Sequence, residues 1–515
     1  MSQPKLKQVK VRLAWAMVLI LAAGMACQLT SPRPASWSGT PTAEAWGTAI
    51  ALTQSAIGGP GYVFTPTVPT VVPNPTSTPT PSPTPHLDAE GPWLVYPAPG
   101  GNALHAYDIN AETTIEISLP EPILTGDLLC GRSPDGRTLA IRAGSVLNAE
   151  ELALYQVDLT SFEVTKITPL LSLSLQREVV NQEGTRAVDA LEVVTRPDGL
   201  AWSPDGRFLA FNAALGNDNS DLYVLDTLND RIDRTNRFLS QNTSPLWAPG
   251  GNWLISQELE IDRPGENDWR ATFVTGLLIP SLINVDTVYQ PPAVSLEEVF
   301  VGWLNENIFI SYSMTKDGPR FLRTVATDDL KESLIIEGAF QQVAFDPSSG
   351  TIAFSISYES AIPLGLSGGI YRLLPESAEY HLQQGGSWDR LSWDPTGVFV
   401  AAGSQGVTLF TSNGEDLLLS GQGNARPSPN GNWLVAWGDG EISTAGARLY
   451  QSNSNSPLQT LIPGPVETIF WQPDSQGLFI QSEGALYHFV FPGLRPKTIA
   501  EELPQESPIE MLWVE

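Results

Sequence analysis

Cysteine is nearly absent: 515 residues hold two, Cys27 and Cys130. Histidine is as scarce, with His86, His105, His381 and His488 scattered along the chain. No Cys/His spacing therefore fits zinc, and neither a metal nor any other cofactor is expected. Basic residues are also short, 28 Lys and Arg against 56 Asp and Glu, for a net charge of −28. Nucleic-acid binding needs a basic footprint, so that class is excluded. The acidic balance suits a solvated exterior, cationic partners or loose association with divalent cations.

The amino terminus differs from everything after it. Lys5, Lys7, Lys10 and Arg12 precede the apolar run Leu13 to Ala23, and small residues lead to Cys27. That is an export signal over residues 1–26, too short for a spanning helix of about 20 residues. Gly24-Met25-Ala26-Cys27 resembles the lipobox of bacterial lipoproteins, which implies lipidation of Cys27, although Gly24 stands where that family has an aliphatic residue. Ordinary cleavage and retention as an uncleaved anchor are the alternatives. All three place the remainder outside the cytoplasmic membrane, on its outer face or extracellular. Loss of residues 1–26 removes four basic and no acidic residues, which leaves 24 against 56 and a charge of −32. A lipidated Cys27 would leave no disulfide possible within the chain, so the fold would stand on packing. Cys130 itself reads as a small buried side chain in the first strand of a repeat.

Residues 27–64 form an amino-terminal segment in which Trp46, Ile50, Thr53 and Ile57 have helical spacing, with Thr42 as cap. Residues 65–86 are a Thr/Pro-rich linker, uncharged from Thr65 to Pro85. In polyproline II form those 21 residues reach roughly 65 Å, a spacer whose hydroxyls are open to glycosylation.

From residue 87 to 515 one turn recurs. Its fullest copy is Trp202-Ser203-Pro204-Asp205-Gly206-Arg207, followed by Phe208-Leu209-Ala210-Phe211. Pro204 sets φ, Asp205 bonds its own backbone and Gly206 accepts positive φ. Further copies centre on Pro134, Pro249, Pro347, Pro395, Pro429 and Pro473, and one around Trp303 has lost its Pro. Most spacings match the roughly 40 to 50 residues of a four-stranded propeller blade. Trp93 to Tyr96, Ala103 to Tyr107 and Thr114 to Ile117 look like strands two to four of a unit without a first strand, and Pro508 to Trp513 looks like that missing strand. The fold class is thus all-β, a β-propeller of four-stranded blades closed by the carboxyl-terminal strand. Nine units are counted; seven or eight stay open, with the Trp303 copy the doubtful one. A ring without free edges is expected to be a monomer. Trp202, Trp247, Trp303, Trp393 and Trp471, at one register, read as packing between blades.

The Ser-Pro-Asp-Gly-Arg then Leu-Ala-Phe pattern resembles the WD-like propeller repeat of TolB and of prolyl oligopeptidase relatives. The resemblance implies a propeller used for partner binding or for gating a separate catalytic domain, and it carries no catalytic residue onto this chain.

Three insertions, Leu171–Gly199, Glu258–Trp269 and Ser357–Gly369, are expected to gather on the binding face. Gly365-Leu366-Ser367-Gly368-Gly369 matches a nucleophile elbow in letters but lacks its strand-turn-helix context. Gly216 to Asp221 offers oxygen ligands without the spacing of a calcium loop. The expected function is a surface binding or scaffolding module for a protein or glycan, touching the membrane only through its lipid anchor. The alternative is a hydrolase or lyase with its site at the channel mouth.

Overall fold

The repeated turn folds as its chemistry requires. In the copy at Ser203 the serine hydroxyl donates to Asp205 Oδ1 (2.5 Å) and accepts the Phe208 N–H (2.9 Å), while Gly206, at φ +72°, donates to the Ser203 carbonyl (2.9 Å). Ser133 repeats these bonds with Asp135 and Thr138, and Ser428 with Asn430 and Trp433. Each turn therefore closes on its own local side chains.

In the computed structural model the described residues are 91–515, apart from 125, 146–147, 182–184, 217–218, 236–240, 264–265, 278–286, 290–294, 296, 375–378, 395–396, 411–415, 439–445 and 505–507. Cys27, His86, the amino-terminal segment and the linker lie outside them. The turns join strands into eight four-stranded antiparallel blades and one three-stranded sheet, met second in the chain. The third sheet shows the plan: Leu200–Trp202, Phe208–Ala213, Asp221–Asp226 and Arg231–Arg234, paired in sequence order. First strands of neighbouring sheets pack on one another, Leu200–Trp202 on Gln241–Trp247 and Gln342–Asp346 on Trp388–Trp393, which places them around the axis.

A repeated contact stitches the blades together. The indole N–H of Trp247 donates to the Ala201 carbonyl (3.0 Å), that of Trp202 to Gly131 (2.6 Å) and that of Trp471 to Arg426 (3.1 Å). In each case the acceptor belongs to the preceding unit, just upstream of its turn. The tryptophans are packing residues, as their common register predicts.

The ring closes at a seam. Leu512–Val514 pairs antiparallel with Trp93–Val95, so the last strand completes the first blade. The seam strand is shorter than the sequence suggests, since Ile509 to Met511 run beside it without pairing. They are held otherwise: the Ile509 N–H donates to Gln481 Oε1 (2.8 Å), and Ile509, Met511 and Trp513 share a buried cluster with Leu94, Tyr96, Tyr107, Phe479 and Leu486.

Three expectations need correction. The unit around Trp303 is a full blade, Glu297–Asn305, Ile308–Thr315, Gly318–Ala326 and Glu332–Ile336. The degenerate unit is the second, Thr138–Ser145, Asn148–Asp158 and Val164–Pro169, although its turn is complete. Cys130 accordingly lies in no strand: it ends the short helix α1, Asp127–Cys130, which replaces the first strand of that sheet. Lastly, Leu171–Gly199 is no loop. It folds into helices α2, Leu173–Asn181, and α3, Thr185–Val194, whose Leu175, Ala190, Leu191 and Val194 are buried with Leu154, Leu170 and Phe211.

Candidate functional site

In each blade four antiparallel strands start and finish at one face, which can be called the top. The connections between sheets and the loops between second and third strands lie there; the Ser-Pro-Asp-Gly turns lie below. All three insertions belong to the top, so they share one face. Leu171–Gly199 joins two sheets, Glu258–Trp269 falls within the long hairpin Trp253–Arg263 and Glu266–Leu277, and Ser357–Gly369 links Thr351–Ile356 to Gly369–Leu373.

Where the first strands begin, charged groups from three consecutive sheets meet. Arg196, at the end of the helical insertion, contacts Asp198 (3.3 Å) and reaches past the fourth sheet to Glu297 of the fifth (2.5 Å). Ser244 of the fourth sheet donates its hydroxyl to Asp198. Ser244 sits at φ +54° beside a bulge in its strand, which turns its side chain out of the regular alternation. Burial opposes the charge on Arg196, but Glu297 and Asp198 outweigh it and raise its pKa. Burial also disfavours ionised Asp198, and Arg196 and Ser244 overcome that and lower its pKa. The side chains remain 21% (Arg196), 26% (Asp198) and 24% (Glu297) exposed, so solvent reaches all three.

Beneath this cluster is a second, buried one. Arg142 grips Asp127 of α1 (2.6 Å) and donates to the carbonyls of Val194 (2.7 Å) and Arg196 (2.6 Å), so it fixes the backbone that carries Arg196. Glu510, just ahead of the seam strand, accepts the N–H groups of Gly126 and Leu128. Burial raises the pKa of Asp127 against the pull of Arg142. Burial, aided by the charge of Asp127, pushes Glu510 up to about 7.

The other candidates are occupied elsewhere. Ser367 is exposed in its loop, where its backbone N–H and carbonyl bond the Tyr371 hydroxyl (3.1 and 2.7 Å), and no elbow forms. Asp221 is buried on Arg234 (2.7 Å), and burial pushes its pKa up to about 6. Among the described residues no three His, Cys, Asp or Glu are placed to hold a metal. His488 packs against Phe479 and bonds Gln472 (2.9 Å), and burial, helped by Lys497, lowers its pKa to about 4. A shallow groove of about 530 Å³ between the first two sheets is lined by Leu119, Pro120, Glu151, Tyr155 and Lys166.

Fold and site together define a β-propeller protein with a polar mouth on its top face. No protein-family model matches the chain, and no curated protein does. Among solved structures it is similar to a eukaryotic initiation factor, at 11% identity and TM-score 0.50 over 83% of this chain and 98% of that one. It is also similar to dipeptidyl peptidase 4 of Porphyromonas gingivalis (13% identity, TM-score 0.44, 77% of this chain and 64% of that one) and to TolB of Acinetobacter baumannii (14%, 0.31, 56% and 64%). The first likeness shows the fold alone; the other two are too slight to argue from.

Proposed function

We propose that this chain is an exported binding module, lipid-anchored through Cys27 and held off the membrane by residues 65–86, whose top face engages a protein or glycan. The observation that carries the reading is the gathering of all three insertions on the face where Arg196, Asp198, Ser244 and Glu297 converge. The resemblance in sequence of Ser203 to Phe211 to the TolB-type repeat adds the expectation of partner binding. The enzyme reading has one observation in its favour, the neighbouring carboxylates Asp127 and Glu510 with raised proton affinity. Their oxygens are occupied by Arg142 and by backbone N–H groups.

The test is affinity capture from the native envelope with the full chain in detergent. Wild type should enrich one protein or glycan reproducibly, and a Tyr358→Ser/Ile362→Ser variant, altered at two exposed top-face positions (73% and 60%), should lose it. Equal capture by both would sink the assignment of the face, and no capture would sink the reading. Labelling with a fatty-acid analogue, abolished in Cys27→Ser, checks the anchor.

A further inference from the structure

The mouth already displays the chemistry it can recognise. A guanidinium, that of Arg196, is seated between two carboxylates contributed by different sheets, and each carboxylate is met by it through one nitrogen only, Nε on Asp198 and Nη2 on Glu297. The pairing is not the two-pronged fork that makes an arginine–carboxylate contact strong and specific. Glu297 keeps its other oxygen without a partner among the described residues, and roughly a quarter of its side chain is open (24%). Arg196, Asp198 and Glu297 sum to a net negative charge, set in a chain with twice as many acidic as basic residues (56 and 28). Anions are repelled from such a mouth and cations are drawn to it. The site is therefore a carboxylate pair served, singly and incompletely, by an internal cation on the end of an insertion.

We infer that the mouth receives a guanidinium or ammonium group from a basic segment of the partner, seated on Glu297 and Asp198 in the place Arg196 now holds. The inference rests on the binding-module reading and specifies its ligand. Arg196 acts as an internal competitor: its backbone stays pinned, since Arg142 holds the Val194 and Arg196 carbonyls, while its side chain swings off. Ser244 keeps Asp198 oriented during the exchange. No bond is made or broken beyond ion pairs and hydrogen bonds.

The experiment is fluorescence anisotropy of a labelled octa-arginine peptide against the full chain in detergent micelles, with octa-glutamate as the reverse-charge control. Glu297→Gln should weaken octa-arginine binding about fivefold, and Arg196→Ala should strengthen it about fivefold, in line with one partly exposed ion pair. The matched controls are Asp230→Asn, on the turn between third and fourth strands, and Arg231→Ala, the first residue of the fourth strand, both exposed at the opposite face. They change net charge by the same amounts and should shift binding less than twofold. Controls that move as far as the site variants, or an unmoved Glu297→Gln, overturn the inference. Should Arg196→Ala lose the wild-type melting transition, Glu297→Gln and Asp198→Asn decide alone. Partner capture by wild type with unchanged peptide binding in Glu297→Gln removes this inference and leaves the binding reading; the converse pattern does the opposite.

Discussion

Ser133 to Arg137 and Ser203 to Arg207 are the two complete copies of the turn, and their hydrogen bonds match donor for donor. Upstream the second and third sheets diverge. Leu200–Trp202 runs as a first strand on Leu209 to Phe211, whereas the second sheet has α1 and two isolated bridges, Ile123 to Ala143 and Arg132 to Leu139. The decisive difference is one position in the second strand, Arg142 in one sheet and Asn212 in the other, both fully buried. Arg142 gathers Asp127 and two carbonyls, and it fits only because residue 199 is glycine: a side chain there would start 2.2 Å from its Nη1. Asn212 gathers nothing, its amide having no partner among the described residues. The turn thus specifies the reversal and the strand after it, and the strand before it is dispensable where a buried ion pair organises other segments in its place.

The contrast can be broken most forcefully at Arg142. Arg142→Met leaves Asp127 ionisable and unpaired in the core and should cost about 3–5 kcal/mol, read from urea denaturation. Asn212→Ala, at the same place in the third sheet, should cost about 1 kcal/mol or less, because no hydrogen bond is lost. Equal losses would mean that the ion pair does not replace the strand.

Acid dependence sharpens the same point. Glu510, at about 7, and Asp127, also raised, hold protons more tightly folded than unfolded. Their contribution is complete below the ordinary carboxylate range and is lost as pH climbs towards 7, so these two groups should remove about 2 kcal/mol between pH 5 and pH 8, a loss that Asp221 adds to and buried His488 opposes. Glu510→Gln should flatten most of that slope in thermal melts; an unchanged slope would place the titrating group elsewhere.

Smaller effects compare the turns and the stitches. Ser133→Ala and Ser203→Ala should each lose about 1.5 kcal/mol, and by the same amount if the turn is autonomous. Trp202→Phe, which gives up the bond to Gly131, should lose about 1 kcal/mol, while Trp393→Phe, whose indole N–H has no partner among the described residues, should lose less when both are followed by denaturation.

What could be read from the sequence follows the range of the interactions. The four-stranded plan, strand order and the Trp93 seam were legible because turn chemistry is local and leaves its letters in place; the count of nine was one four-stranded blade too many, since the second sheet keeps its turn but has only three strands. Helix α1 was not, since four residues show no periodicity, and a complete turn beside Cys130 pointed to a strand. Helices α2 and α3 did leave a signal: Leu191 and Val194 lie three apart within Leu171–Gly199, helical spacing that a loop has no reason to keep. The mouth could not be read at all. Arg196, Ser244 and Glu297 carry no motif, and only the rotation from one sheet to the next brings them together.

The seam also dictates an order of events. Trp93 and Val514 lie at opposite ends of the propeller sequence, so their pairing is expected after the local sheets between them, and the Glu510 contact to Gly126 with it. Until then the first sheet shows a bare edge at Trp93–Pro97 and the ninth lacks its cover of Ile509 and Met511. Contacts so remote along the chain form slowly, so the interval before closure is when this protein is most open to misassociation, and a chaperone that shields one edge strand would protect the whole ring.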